Sequence, residues 1–313
     1  MKEIGGYFEL ELSSSEQSLF PDNAVYVNSG RNALRYILLS IPCIDTLWIP
    51  YYTCNSIHNS LKLLDLNVKY YHINSHLEIE NISILESLGN NDYFLYTNYF
   101  GIKDEYINKI LKINNQLIID NSQSLYSKPT KYSFYSPRKF IGVPDGGVAF
   151  SPYSYVLKDI DTESYKRFIH LLKRYDHSAS KGYDEFKKNG ELMSKLPLQR
   201  MSNLTKKLIE SIDFENIKTK RNINFNFLHQ RLSVINEISI ENPEKLSPLV
   251  YPLKTTNTEL RNYLISKKVY VAKYWPNMQP NKVEHFANSI IAIPIDQRYN
   301  KYDMNYILKL IYK

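Results

Sequence analysis

Four short runs rich in β-branched and aromatic residues, at 46–50, 68–72, 93–97 and 116–120, alternate with helical patterns such as 53–64 and 103–113. No other feature restricts the fold of this chain as much. Strands separated by helices make βαβ units, whose right-handed crossovers build a mostly parallel sheet covered by helices on both faces. A helix is also expected after Asn28-Ser-Gly-Arg-Asn-Ala-Leu34. There Leu34, Ile37, Leu38 and Ile41 share one helical face, and Ser29 is suited to cap the first turn. The expected class is α/β.

From 159 to 196 the pattern turns polar and helical, with no clear strand, in a position suited to cover a site. A long helical stretch from 204 to 232 then leads to a second alternation. It comprises strand-like Leu249-Val-Tyr-Pro-Leu253, a helix near 258–267, strand-like 269–275 and 289–294, and a last helix from Tyr302. No Gly/Ser linker and no internal repeat is visible. A chain of 313 residues can hold one large core and a smaller one. It divides into a large domain, 1–215, and a small C-terminal α/β domain, 216–313.

Composition removes several functional classes. The 39 Lys and Arg exceed the 32 Asp and Glu, for a net charge of +7, but they are scattered. A nucleic-acid surface needs a clustered basic stripe or a binding motif, and neither is visible. A small phosphate-bearing substrate suits the same charge. Cys43 and Cys54 are too few for a disulfide framework and lack zinc spacing, and His58, His72 and His285 show no metal pattern. Reduced thiols fit the cytoplasm. No apolar run approaches the roughly 20 residues of a membrane span. The acidic, alternating Met1-Lys-Glu-Ile-Gly-Gly-Tyr-Phe-Glu-Leu-Glu-Leu12 reads as an edge strand rather than a signal peptide.

Chemistry concentrates between 117 and 147. Leu117-Ile-Ile-Asp120 reads as a buried parallel strand whose carboxylate emerges at the sheet's carboxyl edge, where open α/β folds bind ligands. Lys139 follows, between the aromatic-rich Ser133-Phe-Tyr-Ser-Pro-Arg138 and the turn Gly142-Val-Pro-Asp-Gly-Gly147, whose last two glycines allow a ligand close to the backbone. An amine to hold an aldehyde and a carboxylate to keep a pyridine nitrogen protonated are the two groups that pyridoxal phosphate needs. Each has an ordinary alternative: most lysines are solvated, and an aspartate at a strand end often bonds the following turn. Ser29 and Gly30 at a helix start could cradle a phosphate, with Arg31 either adding a bidentate contact or lying exposed. Gln123 alone decides nothing. For Tyr51-Tyr52 and Tyr99-Phe100, core packing is favoured over contact with a cofactor ring or sugar.

Taken in order, Ser29-Gly-Arg-Asn-Ala-Leu34, Ile49-Pro-Tyr-Tyr-Thr53, Asn98-Tyr-Phe-Gly101, Asp120-Asn-Ser-Gln123, 133–147, Arg200-Met-Ser202 and Ala292-Ile-Pro-Ile-Asp-Gln-Arg-Tyr299 resemble the DegT/DnrJ family of pyridoxal-phosphate-dependent sugar aminotransferases, of the fold-type-I superfamily. The resemblance implies that Lys139 binds the cofactor's aldehyde and shuttles the proton. It implies that Asp120 pairs with the pyridine nitrogen and that Gln123 lies beside the ring hydroxyl. It further implies a homodimer, an amino acid donor that is commonly glutamate, and a nucleotide-linked keto-sugar acceptor, in the service of surface polysaccharide such as O-antigen. Arg31 stands where the family often has Thr, and Cys54 where an aromatic often stacks on the ring, with Tyr52 nearby. Phe134 replaces a phosphate-binding Ser, leaving Ser133 and Ser136 on either side as substitutes, and Leu198 replaces an Asn that a neighbouring subunit often lends. These departures leave open a relative that binds a sugar nucleotide without transamination.

Overall fold

The computed structural model describes residues 4–13, 18–62, 64–276 and 286–313. Seven strands make one sheet: β1 (Val25–Val27), β2 (Thr46–Pro50), β3 (Asn67–Tyr71), β4 (Asp92–Thr97), β5 (Leu117–Asp120), β6 (Tyr132–Tyr135) and β7 (Gly147–Phe150). They lie in the order β1-β7-β6-β5-β4-β2-β3. β7 runs antiparallel to both its neighbours, while β3, β2, β4, β5 and β6 pair in parallel. From β2 the chain winds outward both ways, to β3 on one side and through β4, β5 and β6 on the other. That reversal places the loops after β2, β4 and β5 around one crevice at the carboxyl edge.

Successive residues of the central strands serve opposite faces, as the two-residue period of a strand requires. Tyr93, Leu95 and Ile118 join one core with Leu34, Ile37 and Leu38 of α1 (Gly30–Ser40) and Ile57 of α2 (Asn55–Leu61). Phe94, Tyr96, Leu117 and Ile119 join the other. The remaining crossovers of the sheet include α3 (Ser83–Glu86) and α4 (Asp104–Ile110). The polar stretch folds as α5 (Ile169–Asp176) and α6 (Tyr183–Ser194), as expected. It is followed by α7 (Asn203–Glu210) and α8 (Phe214–Leu232). β8 (Val250–Lys254) and β9 (Ile290–Pro294) form a second, antiparallel sheet with α9 (Leu260–Ser266), α10 (Phe286–Ser289) and α11 (Lys301–Ile311). Phe225 and Leu228 of α8 and Tyr251 of β8 belong to the same core as β4 and β5.

The α/β class and the parallel sheet are borne out, and Ser29 caps α1 by accepting from Asn32 N–H at 3.1 Å. Three local expectations are corrected. The described N-terminal residues form no strand, and Ile4, Tyr7 and Phe8 are exposed; the sheet edge is taken by β1, whose partner is β7. The long helix breaks at Ser211–Asp213, because Asp213 accepts from Asn216 N–H at 2.9 Å and so starts α8 anew. Residues 269–275 make one bridge, Ala272 to Ala292, instead of a strand, between left-handed Lys268 and Trp275. β1, β6 and β7 had no clear signal at three or four residues each. His285 lies outside the described residues.

The start of β7 fits against the start of α1 with no room to spare. A Cβ on Gly147 would overlap the Ser29 carbonyl and lie 2.7 Å from Gly30 N. Gly147→Ala is expected to cost about 3 kcal/mol in urea denaturation, whereas Gly142→Ala, whose Cβ meets nothing within 4 Å, should change stability by less than about 0.5 kcal/mol.

Candidate active site

Two adjacent parallel strands bring the key groups together. β5 ends at Asp120, opposite Phe134 of β6, and β6 runs into the 3₁₀ turn Pro137–Lys139. Asp120 is 3% exposed, and its carboxylate accepts from Ser122 N–H at 2.8 Å. Lys139 Nζ donates to Ser122 Oγ at 2.9 Å, so Ser122 joins amine and carboxylate. Burial pushes the Asp120 carboxyl above its ordinary range, and the Lys139 cation and the Ser122 bonds pull it only part of the way back. Asp120 therefore ties the following turn, the ordinary alternative foreseen for it, and also presents a desolvated carboxylate beside Lys139.

Gln123 is held in one orientation by an unusual turn. Phe100 N–H donates to Gln123 Oε1 at 2.6 Å, which leaves Nε2 as the free end of the amide. Phe100 itself is left-handed at φ 58°, and Gly101 follows at φ 79°. A side chain at Gly101 would come within 2.5 Å of the Gln123 carbonyl, so the turn requires glycine there. Among the described residues Nε2 is buried without a partner, as are Tyr52 Oη, Thr53 Oγ1 and Arg31 Nε. These four atoms come from the loops after β2 and β5 and from the first turn of α1. Buried polar atoms without partners are rare and costly in a folded protein. A ring carrying a phenolic oxygen and a phosphate offers acceptors to such donors, so the residues present fit pyridoxal phosphate.

A second corner is built from α1 and the loop after β6. A Cβ on Gly30 would lie 3.0 Å from Ser136 Cβ and 3.2 Å from its hydroxyl, so the helix start abuts a serine three residues before Lys139. Arg31 follows in that first turn. Cys54 caps α2, accepting from Ser56 N–H at 3.4 Å, and lies near enough to Arg31 to act on its charge. Ser133 is not in this corner's network: it is fully buried in β6 with its hydroxyl engaged by Thr130 N–H at 3.1 Å. Tyr52 and Tyr99 stack with ring centroids 5.7 Å apart, and Trp275 meets Tyr52 edge-on at 4.7 Å. Core packing was the expectation for these tyrosines, and both are buried. Sequence reasoning gave no role to Ser122 or Arg138. The only available signal for Ser122 was its place two residues after Asp120, where an aspartate bonds its own turn.

A buried ion network ties the start of the 159–196 segment to the glycine turn. Arg167 binds Asp145 at 2.7 Å and Asp161 at 2.5 Å, and Asp145 also accepts from Ser164 and Thr205. Arg167→Ala leaves two buried carboxylates without a cation and is expected to cost about 3–5 kcal/mol by thermal or urea unfolding. Among the described residues no His, Cys, Asp and Glu cluster could hold a metal, and no helix is long and apolar enough to cross a membrane.

Solved structures share this architecture. A DegT DnrJ EryC1 StrS aminotransferase from Brucella abortus aligns with 92% of this chain and 85% of its own, with a TM-score of 0.63 at 13% identity. The sugar aminotransferase CalS13 from Micromonospora echinospora aligns with 92% of this chain and 86% of its own, with a TM-score of 0.64 at 12% identity. This chain has the sugar aminotransferase fold. NtdA from Bacillus subtilis, solved with bound cofactor PMP, shares it over 93% of this chain and 73% of its own, with a TM-score of 0.63 at 14% identity. No protein-family model matches the chain, and no curated protein matches it in sequence. That shared fold accounts for the seven-stranded sheet.

Proposed function

We propose that this chain is a pyridoxal-phosphate-dependent aminotransferase that moves an amino group from an amino acid, commonly glutamate, to a keto-sugar carried on a nucleotide. Its setting would be cytoplasmic synthesis of surface glycans by a homodimer. The observation that carries the reading is the Lys139 amine, held by Ser122 beside the buried Asp120 carboxylate. Bound there, pyridoxal phosphate supplies an aldehyde that takes up amines and a ring that accepts electrons. Asp120, desolvated and strained toward protonation, favours a cationic partner and so keeps a proton on the pyridine nitrogen. Gln123 Nε2 would donate to the phenolic oxygen. The start of α1, Ser136 and Arg31 would hold the phosphate. The Lys139 amine would serve as the base that moves the donor's α-proton.

The test is the visible spectrum of purified protein with pyridoxal phosphate. A band near that of a lysine-bound cofactor, which glutamate bleaches and which returns with a nucleotide-linked keto-sugar, is the expected result. A folded protein that gives no band at saturating cofactor would overturn the reading. A band that bleaches with glutamate but recovers with no keto-sugar would retain the aminotransferase and overturn its acceptor class.

A further inference from the structure

Arg138 has no part in the chemistry described so far. It precedes Lys139 in the 3₁₀ turn and is partly buried, yet among the described residues it has neither a salt bridge nor a hydrogen bond; its guanidinium lies 5.7 Å from the Phe186 ring centre. Arg31 likewise has no carboxylate partner, and its Nε is buried and unpartnered. Burial lowers both guanidinium groups below the usual arginine range, and Arg138 is lowered further by Arg31, so the two cations act on each other. The acid that Arg138 feels, Asp145, is already bound to Arg167, Ser164 and Thr205. Two desolvated like charges without a counterion repel each other and lose hydration, and an anion between them relieves both costs. The same corner holds the first N–H groups of the eleven-residue α1 and the Ser136 hydroxyl, packed against Gly30.

We infer that Arg31 and Arg138 form a two-guanidinium clamp for a phosphate group, completing within one chain the cradle begun by Ser29, Gly30 and Ser136. The inference rests on the aminotransferase reading for its first source of phosphate, the cofactor; the diphosphate of a nucleotide-linked acceptor is the second. Planar guanidinium forks bind phosphate oxygens in pairs, which a lysine cannot reproduce. A clamp of this kind supplies in cis the charge and donors that would otherwise have to come from elsewhere.

Affinities of pyridoxal phosphate, of pyridoxal, which lacks the phosphate, and of uridine diphosphate should be measured by fluorescence titration of the full chain. The variants are Arg138→Ala, Arg138→Lys and Arg138→Met, the last keeping an apolar stem over Phe186. Arg138→Ala and Arg138→Met are expected to weaken pyridoxal phosphate roughly ten- to hundredfold, with pyridoxal within about twofold of wild type and Arg138→Lys in between. A loss confined to uridine diphosphate would support the clamp and assign it to the acceptor. Equal losses for pyridoxal phosphate and pyridoxal, or no loss for any phosphate ligand, would overturn it. The clamp is also decided apart from the aminotransferase reading, by the melting shift that inorganic phosphate gives. If no visible band forms, a phosphate-induced rise in wild type that disappears in Arg138→Met still supports the clamp, and a rise unchanged in Arg138→Met overturns it.

Discussion

Lys139→Ala is expected to remove the visible band of lysine-bound pyridoxal phosphate and to lower transamination by roughly a thousandfold or more, because Lys139 is the amine that, among the described residues, stands beside Asp120 to hold the aldehyde and carry the proton. Stability should fall only modestly. Lys139 is exposed and bonded to Ser122, but its loss leaves the buried Asp120 carboxylate without the cation that partly offsets its charge, so a cost of about 1 kcal/mol in urea denaturation at neutral pH is expected. The contrast between the two readouts is the informative part. A structural lysine would show loss of stability with retention of the band, and a solvated one would show neither effect. Added methylamine should restore some activity to Lys139→Ala if the missing group is an amine in the proton path. Arg138→Ala should leave the band at saturating cofactor, which separates the adjacent cations by function.

The parallel core was legible because β2, β4 and β5 are apolar runs with helical patterns between them, and burial on both faces demands such runs. β7 was not legible: Gly147-Val-Ala-Phe150 begins inside a glycine turn, and its pairing with β1 and β6 is set by distant chain. Local pattern also failed at 269–275, where alternating Val269 and Val271 read as a strand. The segment instead spends its aromatic residues on Tyr52, Tyr99 and Phe100, which no period in its own sequence records. At the site, Asp120 was legible from its place at the end of an apolar run, and Lys139 from the turn beside it. Ser122 was missed because its contact with Lys139 spans 17 residues and depends on β5 and β6 being neighbours. Ser133 and Ser136 were indistinguishable in sequence. Only the register of β6 commits one to Thr130 and sets the other against Gly30.

Asp120→Asn separates stability from function most sharply. The folded protein raises the Asp120 carboxyl above its ordinary range, chiefly by burial, so the native state keeps that proton to higher pH than the unfolded chain does. The contribution of Asp120 to stability is thus complete below the ordinary carboxylate range and is lost as pH rises toward the folded value. At neutral pH the cofactor-free protein carries the cost of a buried charge that Lys139 offsets only in part. Asparagine keeps an oxygen for Ser122 N–H without that charge, so the cofactor-free variant is expected to be more stable by about 1 kcal/mol at pH 7, and flatter across acidic pH. Function should move the other way. A neutral amide cannot hold a proton on the pyridine nitrogen, and transamination is expected to fall by roughly a hundredfold or more even at saturating cofactor. Urea denaturation against pH, paired with single-turnover bleaching by glutamate, reads both. If the variant proved less stable at every pH and kept its rate, Asp120 would be a turn-bonding residue, and the carboxylate beside Lys139 would have no part in the chemistry.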